Sequence, residues 1–236
     1  FNDAPFREAN SLSAVNSINW ARVMAQTVYY FTALETLGRS ASFSVPTGNF
    51  GNVLAGWIAK QMCAVIEYLI VGSNSNDILT RFFETHSMDM VPVVPTLSPS
   101  MDIQVSSNFE RLLFDMNNRD GGATTEQLNR FRQTGKLSVG PDQFAKWIAP
   151  TFRAHRASND ETLAVMKRIY GESGMLVDPH TAVGIASAEA CAEPGIPTIT
   201  LATAHPAKFP DAVKKATGVH PALPDHVADL FDRQER

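Results

Sequence analysis

Short apolar runs alternate with helix-periodic stretches along this chain, and that alternation narrows the fold more than any other feature. The run Ser42–Val45 passes through a Gly/Asn-rich turn into a pattern of apolar residues at helical spacing from Val53 to about Met62. The run EYLIVGS (67–73) passes through SNSND into DILTRFFET (77–85), with Asn76 or Asp77 placed to cap the helix. Repeated strand–loop–helix units predict an α/β fold, a mostly parallel sheet with helices on both faces. Open sheets of this kind take ligands at the carboxyl ends of their strands.

The remaining stretches extend the pattern. Residues 13–37 read as a helix whose apolar stripe is Val15, Ile18, Val23, Val28, Phe31 and Leu34, closed by Gly38. Helices are predicted near 107–117 and over 124–134, and a strand or extended piece over 136–156. NDETLAVMKRIYGES (159–173) reads as a helix with Asp160 and Glu161 suited to its N-terminus, and another helix starts at Pro179. GIPTITLATAHPAKF (195–209) reads as a buried strand ending in a polar loop.

The composition excludes several classes. With 236 residues and 44% hydrophobic content the chain can bury a sizeable core, and a net charge of −4 argues against nucleic acid as a partner. No apolar run approaches the roughly 18 residues of a membrane helix. Cys63 and Cys191 are the only cysteines, which fits a reducing cytosol; with no basic neighbour, both are expected in the core. The six histidines show no paired ligand spacing, so a metal centre is not expected. The opening on Phe1, in mid-phrase at FNDAPFREANSL, predicts a fragment or a processed chain.

VPTGNFGN (45–52) is the stretch that carries chemistry. Main-chain N–H groups at a helix start lack intrahelical partners and carry partial positive charge, which suits a phosphate dianion. Gly48 and Gly51 lack the β-carbon that would hold the phosphate off. The loop has neither the Lys-Ser/Thr of a nucleotide-binding P-loop nor the third glycine of a dinucleotide fingerprint. A phosphate that is held and never transferred fits it better than ATP, and an ordinary strand-to-helix turn is the alternative.

That loop stands in order with NSINWARVMAQTVYYF (16–31), SNSNDIL (73–79), SPSMDIQVSSNFERLLF (98–114), DPHTAVG (178–184) and LATAHPAKF (201–209). Over residues 1 to about 215 the chain resembles the C-terminal half of threonine synthases, pyridoxal 5'-phosphate enzymes of the tryptophan-synthase-β fold type (fold type II). The resemblance implies conversion of O-phosphohomoserine and water to threonine and phosphate. It implies that Gly48, Asn49, Phe50, Gly51 and Asn52 hold the cofactor phosphate and that the Thr203 hydroxyl faces the pyridine nitrogen. It places the Schiff-base lysine upstream, so no catalytic residue is expected in this chain, and the missing N-terminal part is the expected partner. It also implies a single cofactor-binding portion over 1–236, with a helical insertion at about 105–150. One departure stands out: the family's Gly-Leu-Pro after the loop helix is Cys63-Ala64-Val65 here. Another fold type II amino-acid lyase or dehydratase, or a non-catalytic threonine-synthase-like protein, remains an alternative.

Other polar residues have plainer expectations. Asp178 and His180 read as a helix cap, and His205 as a bond to its own loop. Asn16, Ser17, Asn19 and Arg22 read as a solvated helix face, and Lys208 as structural or surface. Ser106, Ser107 and Arg111 invite a substrate-phosphate reading, but Ser-Ser-Asn with Glu110 is also a capping box, and the cap is the expectation.

Overall fold

A computed structural model of the protein describes residues 3–12 and 16–234. Helix α1 is Ala4–Ala9, α2 Trp20–Leu37, strand β1 Ala41–Pro46, α3 Gly51–Gln61, β2 Ile66–Ser73 and α4 Ile78–Thr85. There follow β3 Ser87–Asp89, α5 Phe109–Met116, α6 Gly121–Thr134, β4 Lys136–Ser138, α7 Pro141–Trp147 and β5 Phe152–Arg156. The last elements are α8 Asn159–Ser173, α9 Pro179–Ala190, β6 Thr198–Thr200 and α10 Pro210–Thr217. Among the described residues no helix is long and apolar enough to cross a membrane.

The main sheet has the order β5-β2-β1-β6 with every pairing parallel, and β3 with β4 forms a separate antiparallel ribbon. The fold is thus the expected α/β arrangement. Alternation along β1 sorts its two faces. Phe43 and Val45 enter the main core with Val53 and Leu54 of α3, and with Leu69 and Val71 of β2. Ser42 and Ser44 turn the other way, and the Ser44 hydroxyl donates to the Gly184 carbonyl of α9 at 2.6 Å. A β-carbon on Gly184 would sit 2.9 Å from Pro46 and Thr200, so glycine lets α9 lie directly on the strands. Helices therefore cover both faces, α3 on one and α9 on the other.

Five sequence expectations are corrected. Residues 136–156 are not one extended piece: α7 separates β4 from β5, with Gly140 at its N-cap position, Pro141 at its first turn and Asp142 beside the positive end of its dipole. Helix α2 starts at Trp20, because Asn16 Oδ1 accepts from Ile18 N at 3.0 Å and Asn19 Oδ1 caps through Ala21 N at 2.9 Å. Val15 lies outside the described residues, and Ile18 and Val28 are exposed, so the buried side of α2 is Val23, Thr27, Tyr30 and Leu34. Asp77 occupies the N-cap position of α4 without capping; its carboxylate pairs with Arg81 at 2.8 Å and Arg156 at 3.3 Å. Strand β6 is short and only half-buried, at the edge of the sheet formed by the described residues.

Candidate active site

The chain leaves β1 at Pro46 and turns at the carboxyl end of the sheet. Thr47 N–H still pairs with the Gly72 carbonyl at 2.9 Å, and then the ladder stops. Phe50 adopts the left-handed conformation (φ 62°, ψ 11°) immediately before α3. That conformation costs a non-glycine residue about 1–2 kcal/mol. Phe50 offsets it by burying its ring, 1% exposed, edge-on to Phe109 at 5.4 Å, worth about 1.5–3 kcal/mol of apolar burial. The backbone is thus held bent by a core anchor. A left-handed residue followed by a helix start makes a concave run of amides. Among the described hydrogen bonds, none takes the main-chain N–H of residues 48–53 to a protein acceptor.

The carbonyls of the same loop are all but fully engaged on the other side. Ser106 Oγ donates to the Gly48 carbonyl at 2.7 Å. The Asn49 carbonyl accepts twice from Asn108, from the main-chain N–H at 3.1 Å and from Nδ2 at 2.9 Å. Asn108 Nδ2 also donates to the Ser17 carbonyl at 2.8 Å, and its Oδ1 accepts from Arg111. The capping-box expectation for this segment is therefore corrected. Asn108 is the N-cap residue of α5 but makes no side-chain cap bond, and Ser106 and Ser107 turn to residues 48 and 49 instead. The competing acceptors are the Gly48 and Asn49 main-chain carbonyls, which no strand or helix would otherwise satisfy, and the Asn49 side-chain oxygen.

Gly48, Asn49, Phe50, Gly51, Asn52 and Thr203 line one cavity of ≈ 200 Å³. Its outer wall is Ser100–Met101, held by His180. The main-chain N–H of Ser100 donates to His180 Nε2 at 3.3 Å, and His180 Nδ1 donates to Asp178 Oδ1 at 2.9 Å. His180 thus bridges the Ser100 amide and the Asp178 carboxylate through its two ring nitrogens. Burial pushes the Asp178 carboxyl up, but hydrogen bonds from His180 and Thr181 outweigh this and hold it below its ordinary value. The expected cap is present, since Asp178 Oδ1 also accepts His180 N–H at 2.9 Å.

Arg22 is exposed, as expected of a solvated face, and Ser17 is part-buried; both also border the cavity, as does the exposed Lys208 from the polar loop after β6. Gln26, one helical turn on from Arg22, borders the same cavity. Arg22 and Lys208 are the formally charged side chains among the cavity's lining residues, which include no carboxylate. His205 stays with its own loop, Nδ1 accepting from Ala207 N at 3.2 Å. Lys60, held below its ordinary value by burial, donates to the carbonyls of Ile66 and Glu67. Cys63 is exposed, not core, and left-handed at φ 71°. Cys191 is half-buried, and burial raises its thiol.

The family description threonine synthase, C-terminal, matches residues 181–236. A threonine synthase from Pseudomonas aeruginosa is 50% identical over 241 residues, covering 100% of this chain and 51% of the relative. The chain matches about half of a threonine synthase over its whole length. A crystal structure of PLP-bound threonine synthase from Brucella melitensis superposes with a TM-score of 0.94 at 50% identity, covering 100% of this chain and 51% of that one. Yeast threonine synthase superposes with a TM-score of 0.87 at 38% identity, covering 94% and 50%. The chain thus spans about half the length of the threonine synthases it matches.

Proposed function

We propose that this chain holds the pyridoxal 5'-phosphate of a threonine synthase, which converts O-phosphohomoserine and water to threonine and inorganic phosphate. One observation carries the reading. The amides of residues 48–53 have no protein acceptor among the described bonds, and they border a cavity with two cationic side chains and no carboxylate among its lining residues. A phosphate dianion satisfies such donors at a helix start, where the dipole adds to the attraction.

The residues present fit the cofactor. A β-carbon on Gly48 would come within 3.0 Å of the Ser100 carbonyl, so glycine is what allows the loop to close against that wall. Thr203 stands in the same cavity, and its hydroxyl makes no described hydrogen bond within the protein. A neutral hydroxyl there can meet the pyridine nitrogen without forcing its protonation. When bound, the cofactor supplies an electron sink for the negative charge that develops on the substrate carbons.

The chain's own residues bind and orient. The loop amides fix the cofactor phosphate, and Thr203 fixes the ring. The substrate brings a second phosphate into the same cavity, and two dianions at close range repel strongly. Arg22 and Lys208 are the charges available to hold the second one until it leaves. His180 is a strut in this scheme, because both ring nitrogens are engaged.

The chain is on this reading the cofactor-phosphate-holding portion of a longer cytosolic enzyme, its helices between about 105 and 150 forming an insertion. The lysine that anchors the cofactor lies in the portion upstream. The twofold greater length of the relatives supports this, as does the engagement of Lys60 by main-chain carbonyls. The test is to purify the protein with its upstream portion and assay O-phosphohomoserine. Release of inorganic phosphate with threonine is expected, alongside the visible absorbance of a bound pyridoxal group. Ammonia and a 2-oxo acid from another amino acid, with no phosphate release, would turn the reading to a dehydratase. Absence of bound cofactor would end it.

A further inference from the structure

We propose that Asn108, with Ser106 beside it, is a positioning residue for the anion loop. It pins the loop carbonyls outward so that the amides face the cavity before any ligand arrives. In a planar trans peptide the carbonyl of one residue and the N–H of the next point in opposite directions. A bond that fixes the Gly48 carbonyl therefore fixes the Asn49 amide, and bonds to the Asn49 carbonyl fix the Phe50 amide. Ser106 Oγ makes the first at 2.7 Å, and Asn108 makes the second twice over, at 2.9 and 3.1 Å. The Gly48–Asn49 and Asn49–Phe50 peptide planes are thus set from outside the cavity.

The chemistry of the clamp selects asparagine. Its Nδ2 faces two carbonyls, those of Asn49 and Ser17, while its Oδ1 faces the Arg111 guanidinium. Aspartate would set oxygen against two carbonyl oxygens and bring a negative charge to a site built for an anion. Asn108 is itself fully buried, and Arg111 Nη2 also holds the Ile18 carbonyl at 2.9 Å. One side chain thereby ties the loop to Ser17, which also lines the cavity. Amides that point the same way repel one another, and a loop free to rotate its peptides would relieve this by turning some away. Prepaying that arrangement in the fold is what raises affinity for the anion.

The inference rests on the reading that the anion is the cofactor phosphate. Its test uses the enzyme with its upstream portion, comparing the parent with Asn108→Ala and Ser106→Ala. The dissociation constants of the apoenzyme for pyridoxal phosphate and for inorganic phosphate are measured, with the ³¹P resonance of the bound cofactor and the melting temperature. Affinity for both ligands is expected to fall about tenfold in Asn108→Ala and about three- to tenfold in Ser106→Ala, with a displaced ³¹P signal. Affinities within twofold of the parent and an unmoved signal would overturn the proposal, even with a lowered melting temperature, since the residues would then support only the fold. If Asn108→Ala does not fold, Ser106→Ala decides by the same measures. A parent that binds no cofactor removes the proposed function instead, and inorganic phosphate alone then judges the clamp.

Discussion

The imidazole of His180 accepts the main-chain N–H of Ser100, and the Ser100 carbonyl in turn closes over Gly48. Asp178 on α9, on one face of the sheet, is thereby linked through two hydrogen bonds to the wall of the loop that starts α3 on the other. Removing any member of this series relaxes the outer wall of the cavity.

Gly48→Ala tests the wall directly. The new methyl group meets a main-chain oxygen, which cannot swing aside as a side chain can. Stability is expected to fall by about 1–3 kcal/mol, and pyridoxal phosphate affinity by about tenfold or more. Gly51→Ala is the comparison, because its methyl group would lie 3.4 Å from Asn108 Nδ2, in ordinary contact. Equal losses of stability in the two variants, read by urea titration, would count against the close approach.

Asp178→Asn separates charge from shape and gives a pH signature. The carboxyl is held below its ordinary value in the folded protein, so its contribution is complete above the unfolded value of about 3.9. It is lost as pH falls through the lower folded value. The variant is therefore expected to be less stable by about 1–3 kcal/mol at pH 7, with the gap closing below about pH 4. Urea titrations at several pH values read this out, and a gap constant down to pH 3 would contradict it.

Thr203→Val keeps the volume and removes the hydroxyl. Cofactor binding is expected to persist, because the phosphate grip lies elsewhere, while turnover drops by about tenfold or more. An unchanged kcat would take Thr203 out of the site.

Cys63→Gly is expected to stabilise. Cys63 is left-handed just past α3, at the turn where the family resemblance sets Gly-Leu-Pro. Glycine removes the strain of that conformation, and its freer unfolded chain returns part of the gain. The expected net is about 0.5–1 kcal/mol, or about 1–3 °C in melting temperature by calorimetry. A fall in melting temperature would show that the thiol contributes more packing than its exposure suggests.

The order of strands and helices around the cavity was legible because its residues serve one purpose each. Pro179 after Asp178 starts a helix and little else, and glycines between an apolar run and a helical pattern make a turn. Other positions carried residue types with two uses. Ser-Ser-Asn before an apolar helix is how a cap is spelled, yet here Ser106 and Asn108 satisfy carbonyls some 58–59 residues earlier in the chain, a pairing no local pattern records. Arg22 was assigned to solvent as a polar residue flanking an apolar stripe, and it is exposed while also bordering the cavity, a proximity to residues 48–52 that its sequence neighbours do not signal. Helix α7 was hidden by its brevity: seven residues carry too few apolar positions for a helical period to register.

On the proposed reading the loop grips through main-chain amides, and amides do not ionise near neutrality. The loop's share of the hold therefore weakens with the ligand's own second ionisation, near pH 6 for a phosphate monoester, and not with any titration of the amides. Mild acid would slacken that grip by discharging the guest, at a pH where the Asp178 carboxylate behind the wall is still ionised.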